Sequence, residues 1–237
     1  MAPPLRYETP FSWWGSGPAP ASPLTLPELL GNGTLALEEA AILWAALAQR
    51  RSLTVIGGPS GLGKTTLLHA LLPALPRETH RVYLRGCYET FAFLSDSRLS
   101  PDRCVLLANE ISPHLPVYLW GTAVQRTLEA RSRGYPLLAT AHGRSVTEFV
   151  ASLTGSPLRV PAPLVASFDL LALVEPSSSQ GGRRLAGLWQ LSPGARGGVA
   201  LDQVGTDCLP RGVSAEQVAA SAGLLRATTF GHSASSE

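Results

Sequence analysis

The stretch Gly58–Thr65, GPSGLGKT, constrains this chain more than any other. It satisfies the pattern G-x-x-x-x-G-K-[ST], follows the apolar run SLTVIG and opens the helical pattern TTLLHALL. A loop of this composition between a buried strand and a helix curves its backbone amides around phosphate oxygens, and the helix amino terminus adds positive potential. Gly58, Pro59, Ser60, Gly61, Leu62, Gly63, Lys64, Thr65 and Thr66 are therefore the candidate nucleotide-binding residues. Lys64 would reach the β- and γ-phosphates and the Thr65 hydroxyl would ligate Mg²⁺, so ATP and Mg²⁺ are the expected ligands.

Around that loop, strand and helix patterns alternate. ALEEAAILWAALAQRR carries acids early and arginines late, as a helix dipole favours. HRVYLR reads as a strand, and DRCVLLAN as a strand apolar on both faces, which suits a parallel sheet covered on both sides. LPVYLWGTAVQRTLEARSRG reads as a helix with Pro116 near its start, Gly134 at its end and Val117, Trp120, Val124, Thr127 and Leu128 on one face. YPLLATA is a further strand. Ser145 and Glu148 form a capping box before Val146, Phe149, Val150 and Leu153. FDLLALVE and RRLAGLWQL are later strands on either side of PSSSQGG. The alternation, with the phosphate loop, predicts an α/β fold, a P-loop NTPase with a parallel sheet flanked by helices. After Leu191 the pattern thins, leaving linker sequence, a helical pattern in SAEQVAASAGLL and a fraying end.

Two more strand ends carry chemistry. LLANE places Asn109 and Glu110 where a P-loop enzyme keeps the acid that handles metal or the attacking water, although Asn109 is neutral where many such proteins have Asp. TAHGRS delivers His142 to the same sheet edge, because ligands gather at the carboxyl ends of parallel strands. There His142 can donate to a γ-phosphate or to Glu110 and register which nucleotide is bound.

The bulk properties exclude several classes. A formal charge of +2 with no polybasic run predicts no nucleic-acid partner. Cys87, Cys104 and Cys208 form no CxxC pair, which argues against a structural zinc or a disulfide framework and for a reducing cytoplasm. The longest wholly apolar run, Ala40 to Ala48, is far short of the roughly 20 residues a spanning helix needs. Residues 1 to 24 are rich in proline and small residues and read as an extended lead-in whose adhesive feature is Trp13 and Trp14.

Taken in order, NGTLALEEAAILWAALAQRRSLTVIGGPSGLGKTTLLHALLPALP, LLANE, GYPLLATAH and FDLLALVEP…GGRRLAGLWQL resemble the type II/type IV secretion system ATPases, which include pilus assembly and retraction motors. The resemblance runs from about Leu24 to Leu191, and so implies a P-loop ATPase domain over 25–192 between the lead-in 1–24 and a tail 193–237. It implies a RecA-like fold for that domain, ATP hydrolysis coupled to movement of secretion or pilus components, a hexameric ring, and a platform protein of the inner membrane as partner to a cytoplasmic or peripheral protein. Gly58, Gly63, Lys64 and Thr65 match that family's Walker A, Glu110 its Walker B glutamate and His142 its histidine box. Arg183 and Arg184 fall at its late G-x-R hairpin. Where the family has an acidic EDxxE box, LRGCYET places Arg85 and Gly86 and keeps only Glu89. The family's separate amino-terminal domain is represented only by the lead-in.

TAHGRS also looks like the ATPase domain of stage III sporulation protein AA, which shares the secretion-ATPase core. Two functional classes follow: a motor in which a neighbouring subunit supplies an arginine, with Arg131, Arg133, Arg144, Arg183 and Arg184 as candidates, and a nucleotide-gated binding module without appreciable turnover. Guanylate kinases share GPSGxGK but need an arginine-rich acceptor segment, and transporter ATPases need LSGGQ before LLANE; neither is present.

Overall fold

A computed structural model describes residues 7–8, 24–58, 61–178 and 182–230. The lead-in tryptophans Trp13 and Trp14 lie outside the described residues, as do Pro59 and Ser60 of the phosphate loop.

Among the described residues seven strands form one sheet: β1 (Leu53–Gly57), β2 (His80–Tyr83), β3 (Cys104–Ile111), β4 (Leu137–His142), β5 (Leu170–Pro176), β6 (Arg183–Pro193) and β7 (Val199–Val204), in the spatial order β2-β3-β4-β1-β5-β6-β7. The first five are parallel, and β6 and β7 continue the sheet antiparallel. The α/β fold expected of a P-loop protein is thus present, widened by an antiparallel wing. The strands that bear the phosphate loop and Glu110, β1 and β3, are separated by β4, so His142 enters between them.

Burial of the parallel strands on both faces explains their unbroken apolar sequences. Leu53, Val55, Val105, Leu107, Leu138 and Leu170 turn to one face. There they meet α1 (Leu26–Gly31), α2 (Leu37–Ala48), α3 (Lys64–Leu71) and α7 (Ala215–Phe230). Ile56, Leu106, Leu137, Ala139, Leu171 and Leu173 turn to the other and meet α4 (Thr122–Ser132), α5 (Val146–Thr154) and α6 (Ala162–Val165). The period of two along each strand distributes one sequence between two cores.

Two segments differ from the sequence reading. The helix expected from Pro116 onward begins only at Thr122, because Gly121 adopts φ 66° and breaks it; Pro116, Val117 and Trp120 belong to a loop. That loop, 112–121, returns alongside the end of β3: the Leu119 amide donates to the Glu110 carbonyl at 2.9 Å and the Ser112 amide to the Leu119 carbonyl at 3.3 Å. The region read as linker after Leu191 contains β7, an edge strand with largely exposed residues that lacks the apolar signature of a buried one. The helix read in SAEQVAASAGLL does form, as α7, and Val218, Ala222 and Leu225 pack against the α2 side of the core. Of the capping box expected at α5, the Ser145 half is present, its hydroxyl accepting from the Glu148 amide at 3.0 Å, while the Glu148 carboxylate accepts from the Arg144 amide at 2.8 Å and not from that of Ser145.

Candidate functional site

The turn from β1 into α3 builds a cradle from backbone. Gly61 and Gly63 hold φ of 85° and 78°, open to glycine at no steric cost. Gly63 caps α3 without any side-chain hydrogen bond, leaving the first amides of an eight-residue helix without a side-chain acceptor. A Cβ on Gly63 would stand 2.3 Å from the Arg183 guanidinium, so Arg183, at the start of β6, lies across the loop. Gly61, Leu62, Gly63, Lys64, Thr65 and Thr66 share a cleft of about 130 Å³ with Asn109, Glu110, Tyr118 and Arg183.

Lys64 is 6% exposed, and its ammonium stands 3.9 Å from Glu110 Oε2. That separation is a Coulombic contact and too long for a hydrogen bond. A cation so buried, beside uncapped amides at a helix start, is the local chemistry of an anion site; polyphosphate oxygens fit it, and the Thr65 hydroxyl in the same cleft fits a hard divalent ion accompanying them.

Glu110 reaches the cleft through a bulge. Ala108 pairs with Ala139, yet Ile111 pairs with Ala141, so β3 spends three residues where β4 spends two. A bulge beside a site re-aims a side chain. Here Ala108 and Ile111 both face the α4–α5 core, and Asn109 and Glu110 are lifted to the cleft. The Thr140 hydroxyl on β4 donates to the Asn109 carbonyl and holds the bulge. Burial pushes the Glu110 carboxyl above its ordinary value, and the Lys64 and His114 charges oppose the rise without cancelling it.

His142 closes β4 opposite Gly57, with the Gly143 amide donating to the Gly57 carbonyl at 3.4 Å. Burial lowers its pKa, and the His114 and Lys64 charges lower it further, which favours the neutral ring. His114, on the 112–121 loop, packs edge-on against it at 4.1 Å between ring centroids. Ser112 Oγ lies 2.7 Å from His114 Nδ1 and accepts from the His114 amide at 3.1 Å.

Tyr118 is absent from the sequence-based candidates because its segment reads as helix, and His114 because it stands alone between Pro113 and Pro116 with no motif around it. What carries them to the site is Gly86. A Cβ there would come within 1.8 Å of the Val117 carbonyl oxygen, so the missing side chain lets the loop close. The glycine that stands in place of an acid in the acidic box has a packing role.

Glu89, the remaining acid of that box, is not among the cleft-lining residues. Its two oxygens accept from the Arg85 amide at 2.9 Å and the Phe91 amide at 2.7 Å, stapling the turn between β2 and β3. The arginines divide as well. Arg131 is half-buried, bonded to Ser52 Oγ and the Ser167 carbonyl and 3.5 Å from Asp169, whose closer partner is Arg51 at 2.7 Å, in a structural cluster at the start of β1. Arg133 caps the end of α4, and Arg184 pairs with Glu175 at 3.3 Å on the surface. Arg144 runs beside the phosphate loop, its Cγ 3.6 Å from where a Gly58 Cβ would stand. Arg183 and Arg144 are thus the arginine candidates brought to the loop.

No family model matches the chain. It is similar to an uncharacterized protein of Methanocaldococcus jannaschii, 25% identical over 166 residues that cover 62% of this chain and 29% of that protein. The chain therefore spans less than a third of this relative. Among solved structures, it is similar to the VirB11 ATPase of the Brucella suis type IV secretion system, crystallised with sulphate (21% identity, 72% of this chain and 57% of that one, TM-score 0.48). It is also similar to the Legionella pneumophila ATPase DotB (15% identity, 67% and 46%, TM-score 0.36). Among the described residues no helix is long and apolar enough to cross a membrane.

Proposed function

We propose that this chain is an ATPase of the type II/type IV secretion or pilus motor class. The observation that carries the proposal is the buried Lys64 ammonium at the uncapped start of α3, facing a carboxylate that a bulge in β3 raises into the same cleft. Lys64 and the amides of Gly61 and Gly63 bind the β- and γ-phosphates. Thr65 holds Mg²⁺, which when bound neutralises charge on the phosphates. Glu110 orients water and takes its proton; a carboxyl raised by burial is better matched to that work near neutral pH than an ordinary one. His142, neutral and able to donate, reports the γ-phosphate from the strand between the two halves of the site. Glu89 acts as a positioning residue of the β2–β3 turn and does not handle metal.

Assembly into a ring, with an arginine from the adjacent subunit completing the site at an inner-membrane platform, belongs to the same reading and rests on the sequence resemblance. One observation favours a second reading, a nucleotide-gated module with little turnover: the Glu89 carboxylate is consumed by backbone amides, leaving Glu110 as the cleft's acid among the described residues.

Phosphate release from ATP and Mg²⁺, measured across protein concentrations beside Lys64→Ala and Glu110→Gln, separates the two. Turnover that rises faster than linearly with concentration and vanishes in both variants supports the motor. Nucleotide binding with no more phosphate released than by Glu110→Gln refutes it for this chain.

A further inference from the structure

We propose that Glu110, His114 and His142 form a binding site for a divalent transition-metal ion of the Zn²⁺ type, adjoining the phosphate loop and distinct from a Mg²⁺ position at Thr65. One donor atom from each of the three lies within 4.8 Å of the others. They come from three elements: the bulge of β3, the end of β4 and the 112–121 loop.

Two imidazoles and one carboxylate are a donor set for Zn²⁺, Co²⁺, Ni²⁺ or Fe²⁺; Mg²⁺ prefers oxygen ligands and keeps its waters. Bonds of about 2.0–2.2 Å to a tetrahedral ion set donors about 3.4 Å apart, so the cluster needs to tighten by little more than an ångström. The exposed His114 loop can supply that movement. Its ring is already oriented: Ser112 engages Nδ1 and leaves Nε2 for the metal, the outer-shell arrangement that fixes a ligating histidine. Three protein donors also leave a coordination position for water or an oxyanion.

Lys64 decides how the site couples to its neighbour. Its ammonium, 3.9 Å from the Glu110 carboxylate, repels a second cation. Phosphate oxygens in the cleft neutralise that charge, so a polyphosphate and the metal should each tighten the binding of the other, as linkage requires. Only this coupling rests on the proposed nucleotide site; the metal site stands on the three donors.

The test is titration of the metal-stripped full chain with Co²⁺, followed by its visible d–d absorption, with and without pyrophosphate. We expect one Co²⁺ per chain with no thiolate charge-transfer band. His114→Ala and His142→Ala should each weaken binding by more than about 10-fold, the loss caused even by removing a ligand's supporting partner. His114 is exposed, and circular dichroism verifies that its variant is folded. No uptake by the wild type, or equal uptake by His114→Ala, overturns the proposal and leaves a hydrogen-bonded cluster. Pyrophosphate should raise Co²⁺ affinity in the wild type and have no effect in Lys64→Ala, which should bind Co²⁺ more tightly than the wild type in its absence. Co²⁺ binding that depends on both histidines but ignores pyrophosphate upholds the metal site and counts against the phosphate-loop reading.

Discussion

Gly86→Ala tests whether the loop that completes the site depends on one missing side chain. Gly86 has φ 57°, and a Cβ there would stand 1.8 Å from the Val117 carbonyl oxygen. Cβ atoms do not approach backbone closer than 3.0 Å, so the loop must retreat by about 1.2 Å. A left-handed backbone costs alanine about 1–2 kcal/mol. Overpacking of this kind adds about 1–3 kcal/mol, for a total of about 2–5 kcal/mol. At about 2–4 °C per kcal/mol for a chain of this size, thermal denaturation followed by circular dichroism should show a fall in Tm of roughly 4–20 °C. Gly33→Ala is the control: Gly33 has φ 74° with no atom within 4 Å of its would-be Cβ. It carries the backbone part alone, about 1–2 kcal/mol. Because Tyr118 lines the cleft one residue beyond Val117, Gly86→Ala should also weaken a fluorescent ATP analogue, which Gly33→Ala should bind as the wild type does. A Gly86→Ala variant no less stable than Gly33→Ala, with unchanged nucleotide affinity, would refute the argument.

Two further outcomes are expected. The raised Glu110 pKa means that ionising this carboxyl is harder in the folded chain than in the unfolded one, so its contribution to stability is present at low pH and is lost as pH rises through the folded value. Glu110→Gln should therefore have a higher Tm than the wild type at pH 8, a gap that closes on acidification, while it loses turnover; an equal or lower Tm at pH 8 would show that attraction to Lys64 outweighs burial. Arg131→Ala should lower the urea midpoint by the equivalent of about 1–3 kcal/mol, because it removes the hydrogen bonds to Ser52 Oγ and the Ser167 carbonyl, while Asp169 keeps its 2.7 Å pair with Arg51. Unchanged stability with lost turnover would instead make Arg131 the arginine that acts on a neighbour's nucleotide.

Most of the parallel half of the sheet was readable from sequence because buried parallel strands are apolar throughout, and the strand ends that meet around Glu110 were readable because polar residues begin where the apolar run stops. Lys64, Glu110 and His142 all follow such runs. What escaped was set by contacts between distant segments. The bulge at Asn109–Glu110 has no local signature; it is maintained by Thr140 from the next strand. Val117, Trp120 and Val124 keep a helical spacing across a segment that Gly121 prevents from being helical, and the reason it folds back lies 30 residues earlier, at Gly86. Glu89 keeps the motif position of an acid, and its oxygens accept from two amides of its own turn, a local contact that the motif does not encode. β7 was missed because an edge strand needs only one pairing partner and can remain polar.

These misses share a consequence for chemistry. The strand order brings Lys64 and His142 to Glu110 from two neighbouring strands, and the 112–121 loop brings His114 from a third direction, so a single carboxylate faces an ammonium on one side and two imidazoles on the other. A carboxylate shared in this way cannot serve both neighbours fully. As a base for water it acts through its negative charge, and as a ligand to a metal held by the histidines it would share that charge with the ion and become a weaker base. On the two proposals, occupation of the histidine cluster should therefore slow hydrolysis at the phosphate loop, and the bulge that raises Glu110 into the cleft is what would couple them.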